Sequence, residues 1–259
     1  MCGGFVAAHT IKTIFGEILN ELQVPDMPRE SLDRKIQHLR DDILVLDSMV
    51  ENAVFESIQA LKSHNLELAR QVYTGDAQVN AKRFELENAV IITIATQQPI
   101  MASDLRLLAS ILEVAGELER MGDYAKGIAH ICLMIGGEEH VKPLIDIPRM
   151  AEVAVSMLHR AISAFIAADA ATARSIPPED DEIDHLYNQV YHELVQIMLK
   201  DPSPKTIEQA NFLMWTAHNL ERLSDRVANI CERTIYIATG ELKELSTSDD
   251  ETMFRSYGS

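Results

Sequence analysis

The sequence predicts an all-α protein: two homologous antiparallel three-helix bundles in tandem, with a short N-terminal extension. Two observations predict it. Apolar residues recur at spacings of three and four through long segments separated by Gly, Pro and Asn. A set of landmarks also recurs about a hundred residues apart. "ALKSHNLELAR" (60–70) aligns with "AFIAADAATAR" (164–174), Asp76 falls on Asp180 and Asn80 on Asp184, all at an offset of 104. Glu119 and Asp123 fall on Glu221 and Asp225 at an offset of 102, so one loop adjustment reconciles the two registers. A period of that length is far outside the solenoid range.

Composition agrees. Of 259 residues, 47% are hydrophobic, 24% charged and only 5% aromatic, which suits a globular chain rich in helix formers. The net charge of −17 argues against direct nucleic acid binding and favours metal ions or basic partner surfaces, besides keeping a chain soluble. Cys2, Cys132 and Cys231 form neither a disulfide framework nor a metal-type spacing, which fits a reducing cytoplasm. The most apolar run, "AVIITIATQQPIM", is too short and too interrupted to span a membrane.

The elements follow in order. The extension, residues 1–27, lacks the basic start and unbroken apolar run of a secretory signal. It can form a short amphipathic helix with Ile11, Ile14, Phe15, Ile18, Leu19 and Leu22 on one side, for packing or for contact with a partner or membrane surface. The first unit, residues 28–137, opens with a helix whose stripe is Leu32, Ile36, Leu39, Ile43, Leu46, Met49/Val50, Ala53/Val54 and Leu61. Ser31 and Asn65 are the expected caps of this helix and the next. A second helix is expected over roughly 76–96. A third is expected over 100–135, with Pro99 in its first turn and Gly136-Gly137 at its end. "EEHVKPLIDIP" reads as a linker. The second unit, residues 146–240, repeats the layout with helices over about 148–167, 179–200 and 204–239, and a polar tail occupies 241–259.

The chemistry lies in paired acids. On the third helix Leu108, Ile111, Ala115, Leu118, Gly122, Ala125 and Ala129 share one stripe, with Glu119 and Asp123 along its edge one turn apart. On the last helix Ala210, Met214, Ala217, Ser224 and Ala228 form the stripe, with Glu221 inside it and Asp225 at its margin. Like charges at this spacing repel, and more so when desolvated, unless a cation binds or a proton is taken up. Asp180 and Asp184 form a third pair, on a face shared with Tyr187 and Tyr191. Carboxylates on facing helices are how bundles hold metals. Oxygen ligands suit Mg, Mn or Fe, and an imidazole, for which His218 is placed, widens the choice to Zn. Four carboxylates carry about −4, more than one divalent ion neutralises, so two or more ions per site are expected. The competing reading of the acids is capping or ion pairing with Arg120 and Arg222.

"QQPIMASDLRLLASILEVAGELERMGDYAKGIA" (97–129) resembles the signature of the PhoU family of phosphate-uptake regulators, and "HNLERLSDRVANICE" (218–232) resembles a second copy of its Glu-Arg-x-Gly-Asp motif. The resemblance covers about residues 28–240. It implies two similar three-helix bundles. It also implies multinuclear clusters of divalent or trivalent ions (Fe, Zn, Mn or Mg) on Glu119/Asp123 and Glu221/Asp225, helped by Asp76, Asp180 and Asp184. It further implies a cytoplasmic regulator, not itself an enzyme. Such a protein sits peripherally between the phosphate ABC transporter and a membrane sensor histidine kinase and holds phosphate-starvation signalling off when phosphate is plentiful. A homodimer is expected as well.

Three positions depart from the family pattern: Asn80 where an Asp is expected, Gly127 where the second unit keeps Asn229, and Ser224 where a Gly is usual. They place the first unit's site in question, with Glu87, two turns after Asn80, as a possible substitute ligand. The first 26 residues have no family counterpart. "MPRES" from Met27 reads as a natural start, making the extension an upstream start or an appendage. The alternatives to a metal-binding regulator are a carboxylate-bridged di-iron or ferritin-like bundle enzyme, whose paired Glu-x-x-His motifs on two helices are missing here, and a metal-free scaffold that docks basic surfaces.

Overall fold

Seven α-helices and one 3-10 turn account for almost all of residues 28–245, the part of the chain that the computed structural model describes. They are α1 (Pro28–Ser63), α2 (Leu66–Thr96), α3 (Ala102–Ile135), α4 (Asp146–Ala167), α5 (Ala170–Ser175), the 3-10 turn Pro177–Glu179, α6 (Asp180–Lys200) and α7 (Pro204–Thr239). No strand occurs among the described residues. The amphipathic helix expected in the N-terminal extension and most of the polar tail fall outside the described residues.

The α1 stripe is buried as its spacing predicts: Leu32, Ile36, Leu39, Ile43, Leu46, Val50, Val54 and Leu61 all enter the core, and Ile58 joins them. The α3 stripe is buried throughout. In the first unit α1, α2 and α3 pack on one another, and in the second α4, α6 and α7 do so with α5 against α7. The units join through α3 on α7 and α1 on α4, so one continuous core runs through both. At the α3–α7 contact, a Cβ on Gly127 would lie 3.0 Å from the Asn219 amide nitrogen, so there is little room where the family pattern would place a side chain. At the α2–α3 contact Gly122 serves similarly, a Cβ there falling 3.1 Å from Val79 Cγ1.

The repeat extends to backbone detail. α1 ends at His64, with φ 53°, and α4 ends at Ala168, with φ 52°, the same position at the offset of 104. In both, the next residue's N–H returns to the carbonyl five residues back (Asn65 to Ala60 and Asp169 to Ala164, 2.9 Å each), as in a Schellman closure. That residue then caps the following helix: Asn65 Oδ1 accepts from Leu68 N, and Asp169 Oδ1 accepts from Ala171 N and Thr172 N.

Three boundaries differ from expectation. α1 begins at Pro28, so Ser31 lies inside its first turn rather than capping it. α2 begins at Leu66, ten residues before Asp76, because burial of Ala69 and Val72 outweighs the helix penalty of Gly75. α3 begins at Ala102 rather than Ile100. Pro99 lies outside the helix after a cis peptide bond, and the Asp104 carboxylate accepts from the Met101 N–H at 3.3 Å to close the first turn. In the second unit the stretch matching α2 is broken, because Pro177 and Pro178 remove two N–H donors where α2 has Tyr73 and Thr74.

α4 is the one helix among the described residues long and apolar enough to cross a membrane. Its apolar face, including Met150, Ala154, Leu158, Ile162 and Phe165, is buried in the bundle instead.

Candidate metal centre

The first unit's acids converge between α2 and α3. Asp76 is buried on α2, and its Oδ2 accepts from Lys126 Nζ of α3 at 2.6 Å and from Asn80 Nδ2 at 3.0 Å. Asp76 Oδ1 is buried with no hydrogen-bond partner among the described residues. Lys126 also lies 3.8 Å from Asp123 and sits over the Tyr73 ring. One turn away on α3, Glu119 is 3.7 Å from Arg83, whose Nε donates to Glu87 at 2.8 Å. Burial, and next the Asp123 charge, push the Glu119 carboxyl up, with Arg83 opposing and Asp76 adding to the rise. The hydrogen bond to Asp76 in turn holds the Lys126 ammonium above its ordinary value. Asp76, Glu119 and Asp123 are therefore brought together. Two cationic side chains, Lys126 and Arg83, already stand among these three carboxylates, and Glu87 joins through Arg83.

The second unit keeps the register and changes the chemistry. At the offsets of 102 and 104, Lys126 corresponds to Ala228 and Arg83 to Tyr187. Tyr187 lies against Glu221, as Arg83 lies against Glu119. Burial, and then the Glu221 charge, push the Tyr187 hydroxyl up, and its ring is 6.3 Å from that of His218. With α6 antiparallel to α7, the register places Asp184 and then Asp180 at successive turns along α7 toward Asp225 and Ala228. Asp180 is buried in the first turn of α6, while Asp184, Glu221 and Asp225 are half-buried. The helix N-terminus favours the negative charge of Asp180.

The neighbours proposed for ion pairing divide. Arg120 donates to Glu117 at 2.7 Å rather than to Glu119. Arg222 stands 3.3 Å from Asp225 and hydrogen-bonds Tyr124, while His218 Nδ1 is 3.1 Å from Glu221. Ala228 and Ser224 themselves carry small side chains. By the register of α6 on α7, the two helices offer four carboxylates, with the His218 imidazole beside Glu221. This donor set fits hard or borderline cations held by oxygen.

Sequence reasoning passed over Lys126 and Arg83, whose role shows in a comparison of each with its counterpart one repeat later. It also passed over Asp47, an acid on the buried stripe of α1 between Ile43 and Val50. Asp47 is 5% exposed, and burial, followed by the charge of Glu51, pushes its carboxyl up to about 8.

A PhoU domain model matches residues 43–132 and again residues 147–234. Over 220 residues the chain is 31% identical to a phosphate-specific transport system accessory protein PhoU homolog of Clostridium acetobutylicum, covering 85% of this chain and 100% of that protein. It is 31% identical over 207 residues to the phosphate-specific transport system accessory protein PhoU of Escherichia coli K12, covering 80% and 85%. Among solved structures, it is similar to the phosphate transport system regulatory protein PhoU from Streptococcus pneumoniae (TM-score 0.76, 30% identity, 83% of this chain and 100% of that one). It is likewise similar to PhoU from Pseudomonas aeruginosa (TM-score 0.75, 30% identity, 81% and 99%).

Proposed function

The chain belongs to the PhoU family, and from that premise we propose that it is a metal-binding regulator of phosphate uptake, with its working metal cluster in the second unit. Its named relatives are accessory and regulatory proteins, not enzymes, and this chain is no enzyme either. The oxidase alternative falls with that.

The observation that carries the metal assignment is the exchange of Lys126 and Arg83 for Ala228 and Tyr187 in one register. In the first unit, two protein cations offset Asp76, Glu119 and Asp123. In the second, Ala228 and Tyr187 stand at those two positions, and the four carboxylates of Asp180, Asp184, Glu221 and Asp225 lie on facing helices, a charge that bound ions would relieve. Carboxylate-bridged divalent or trivalent ions (Fe, Zn, Mn or Mg), two or more in number, suit that charge. Open positions on them would accept phosphate or a partner's carboxylate. The relatives' names give an accessory and regulatory role in phosphate transport, and our reading extends it to a cytoplasmic homodimer that acts between the phosphate ABC transporter and a sensor histidine kinase.

Element analysis of purified protein tests the site. Glu221→Gln/Asp225→Asn should lose the second unit's metal while keeping its helix content, and retention of the full complement would refute the assignment. Deleting the gene tests the role. Phosphate-starvation genes should become active in high phosphate, and continued full repression would remove the regulatory reading.

A further inference from the structure

A second cluster of metal-type ligands lies where the two units meet, apart from both paired-acid sites. Asp47 and Glu51 are one turn apart on α1, and His159 faces them from α4. A ligand atom of each lies within 4.8 Å of the others. His159 Nδ1 and Glu51 Oε1 are 3.2 Å apart. Two ligands of a four-coordinate ion with bonds of about 2.1 Å stand about 3.4 Å apart, so this edge already has the right length. A second observation singles the cluster out from ordinary surface acids. Asp47 is 5% exposed, and its Oδ1 is buried with no hydrogen-bond partner among the described residues. An acceptor left that way is costly, more so when charged, and is expected to have a proton or a cation. The cluster opens onto a cleft of about 470 Å³ between α1 and α4, lined by Phe55, Ile58, Ala151 and Val155, with room for a water as fourth ligand.

We propose that Asp47, Glu51 and His159 form a mononuclear site for a borderline divalent cation of the zinc class, which clips the first unit to the second. Two carboxylates and a neutral imidazole balance one divalent ion, unlike the acid-rich second unit, which needs more than one. One imidazole among carboxylates selects zinc or its neighbours over magnesium or calcium. Glu51 and Asp47 come from one rigid helix. His159, 68% exposed, reaches the ion from the other unit. Because the ion bonds to both α1 and α4, its binding stabilises the unit–unit contact.

The test uses the full-length chain carrying Glu221→Gln/Asp225→Asn, so that the proposed second-unit metals do not contribute, with Zn2+ and Co2+ as probes. Equilibrium dialysis should find an equivalent whose affinity drops roughly tenfold or more on adding His159→Ala or Glu51→Gln. Both residues have solvent access, so the variants should keep their helix content. Co2+ should show the visible absorption of a low-coordinate site with a nitrogen ligand, and His159→Ala should abolish it. Zn2+ should raise the melting temperature only when His159 is present. Binding that ignores both substitutions, or no binding at micromolar free ion, overturns the proposal. The second-unit assignment is judged separately, by the ions lost on introducing Glu221→Gln/Asp225→Asn.

Discussion

Lys126 places its ammonium 2.6 Å from Asp76 Oδ2 across the α2–α3 contact, and its counterpart one repeat later, opposite Asp180, is Ala228. The same frame of helices thus carries a built-in cation in one unit and leaves that position to a methyl group in the other. A lysine tethered to its own helix loses little entropy on binding, so it competes with a soluble ion more effectively than its affinity in free solution implies. The two units read as one design in two charge states.

The first unit should therefore become a metal site when its built-in cations are removed. Asn80→Asp, Arg83→Tyr and Lys126→Ala reproduce the second unit's residues at all three places. The triple variant should bind at least one more equivalent of Mn2+ or Fe2+ than the wild type at micromolar free ion. Unchanged stoichiometry in a variant with normal helix content would mean that Lys126 and Arg83 are not what keeps ions out.

The reverse exchange should close the second site. Ala228→Lys would bring an ammonium to Asp180 as Lys126 does to Asp76, and metal affinity there should fall roughly tenfold or more, the equivalent of about 1.4 kcal/mol. Ala228 is 7% exposed, so bulk is a separate concern. Ala228→Met, similar in length without charge, is the control and should keep most of the metal. Equal loss in both variants would point to crowding rather than charge.

Much of this was legible in the sequence, for physical reasons that name its limits. The stripes of α1 and α3 were readable because buried faces repeat every 3.6 residues whatever lies opposite. The pairing of Asp76 with Lys126 was not, because helical periodicity gives a residue its face but not the register of the neighbouring helix. α2 starts at Leu66 rather than near Asp76, and what carries the helix through Gly75 is the burial of Val72, a tertiary effect that local sequence does not display. The 3-10 break at Pro177 falls where the chemistry of proline requires it. Asp47 escaped notice because it sits alone on an apolar stripe, and His159, 112 residues later, becomes its neighbour only when α4 packs on α1.

Ala168 holds the left-handed conformation that closes α4, with φ 52° and ψ 38°. A Cβ there crowds the following carbonyl, which glycine avoids. Ala168→Gly should stabilise the protein by about 1 kcal/mol, part of which is returned to the unfolded chain as extra freedom. Urea denaturation measures the difference. A loss of stability would show that the Ala168 methyl contributes more through packing than it costs in strain.

His140 gives the fold a dependence on pH. Its Nε2 lies 2.9 Å from the Leu61 carbonyl, so Nε2 carries the hydrogen and Nδ1 is the bare nitrogen. Nδ1 is buried without a partner among the described residues, and the ring stacks on His64 with 4.2 Å between centroids. Burial first, and the charge of a protonated His64 as well, hold the imidazole below its ordinary 6.5, against the pull of the Leu61 carbonyl. The unfolded chain therefore binds this proton more readily than the folded one. Stability from His140 is complete above the ordinary value and declines as pH falls below it. His140→Gln keeps a donor for Leu61 but cannot titrate. Between about pH 7.5 and 5.5 the wild type should lose more melting temperature than the variant, with the carboxylates common to both cancelling. Parallel curves for the two proteins would mean that His140 titrates alike in the folded and unfolded states, and that its burial between α1 and the linker costs the charged form nothing.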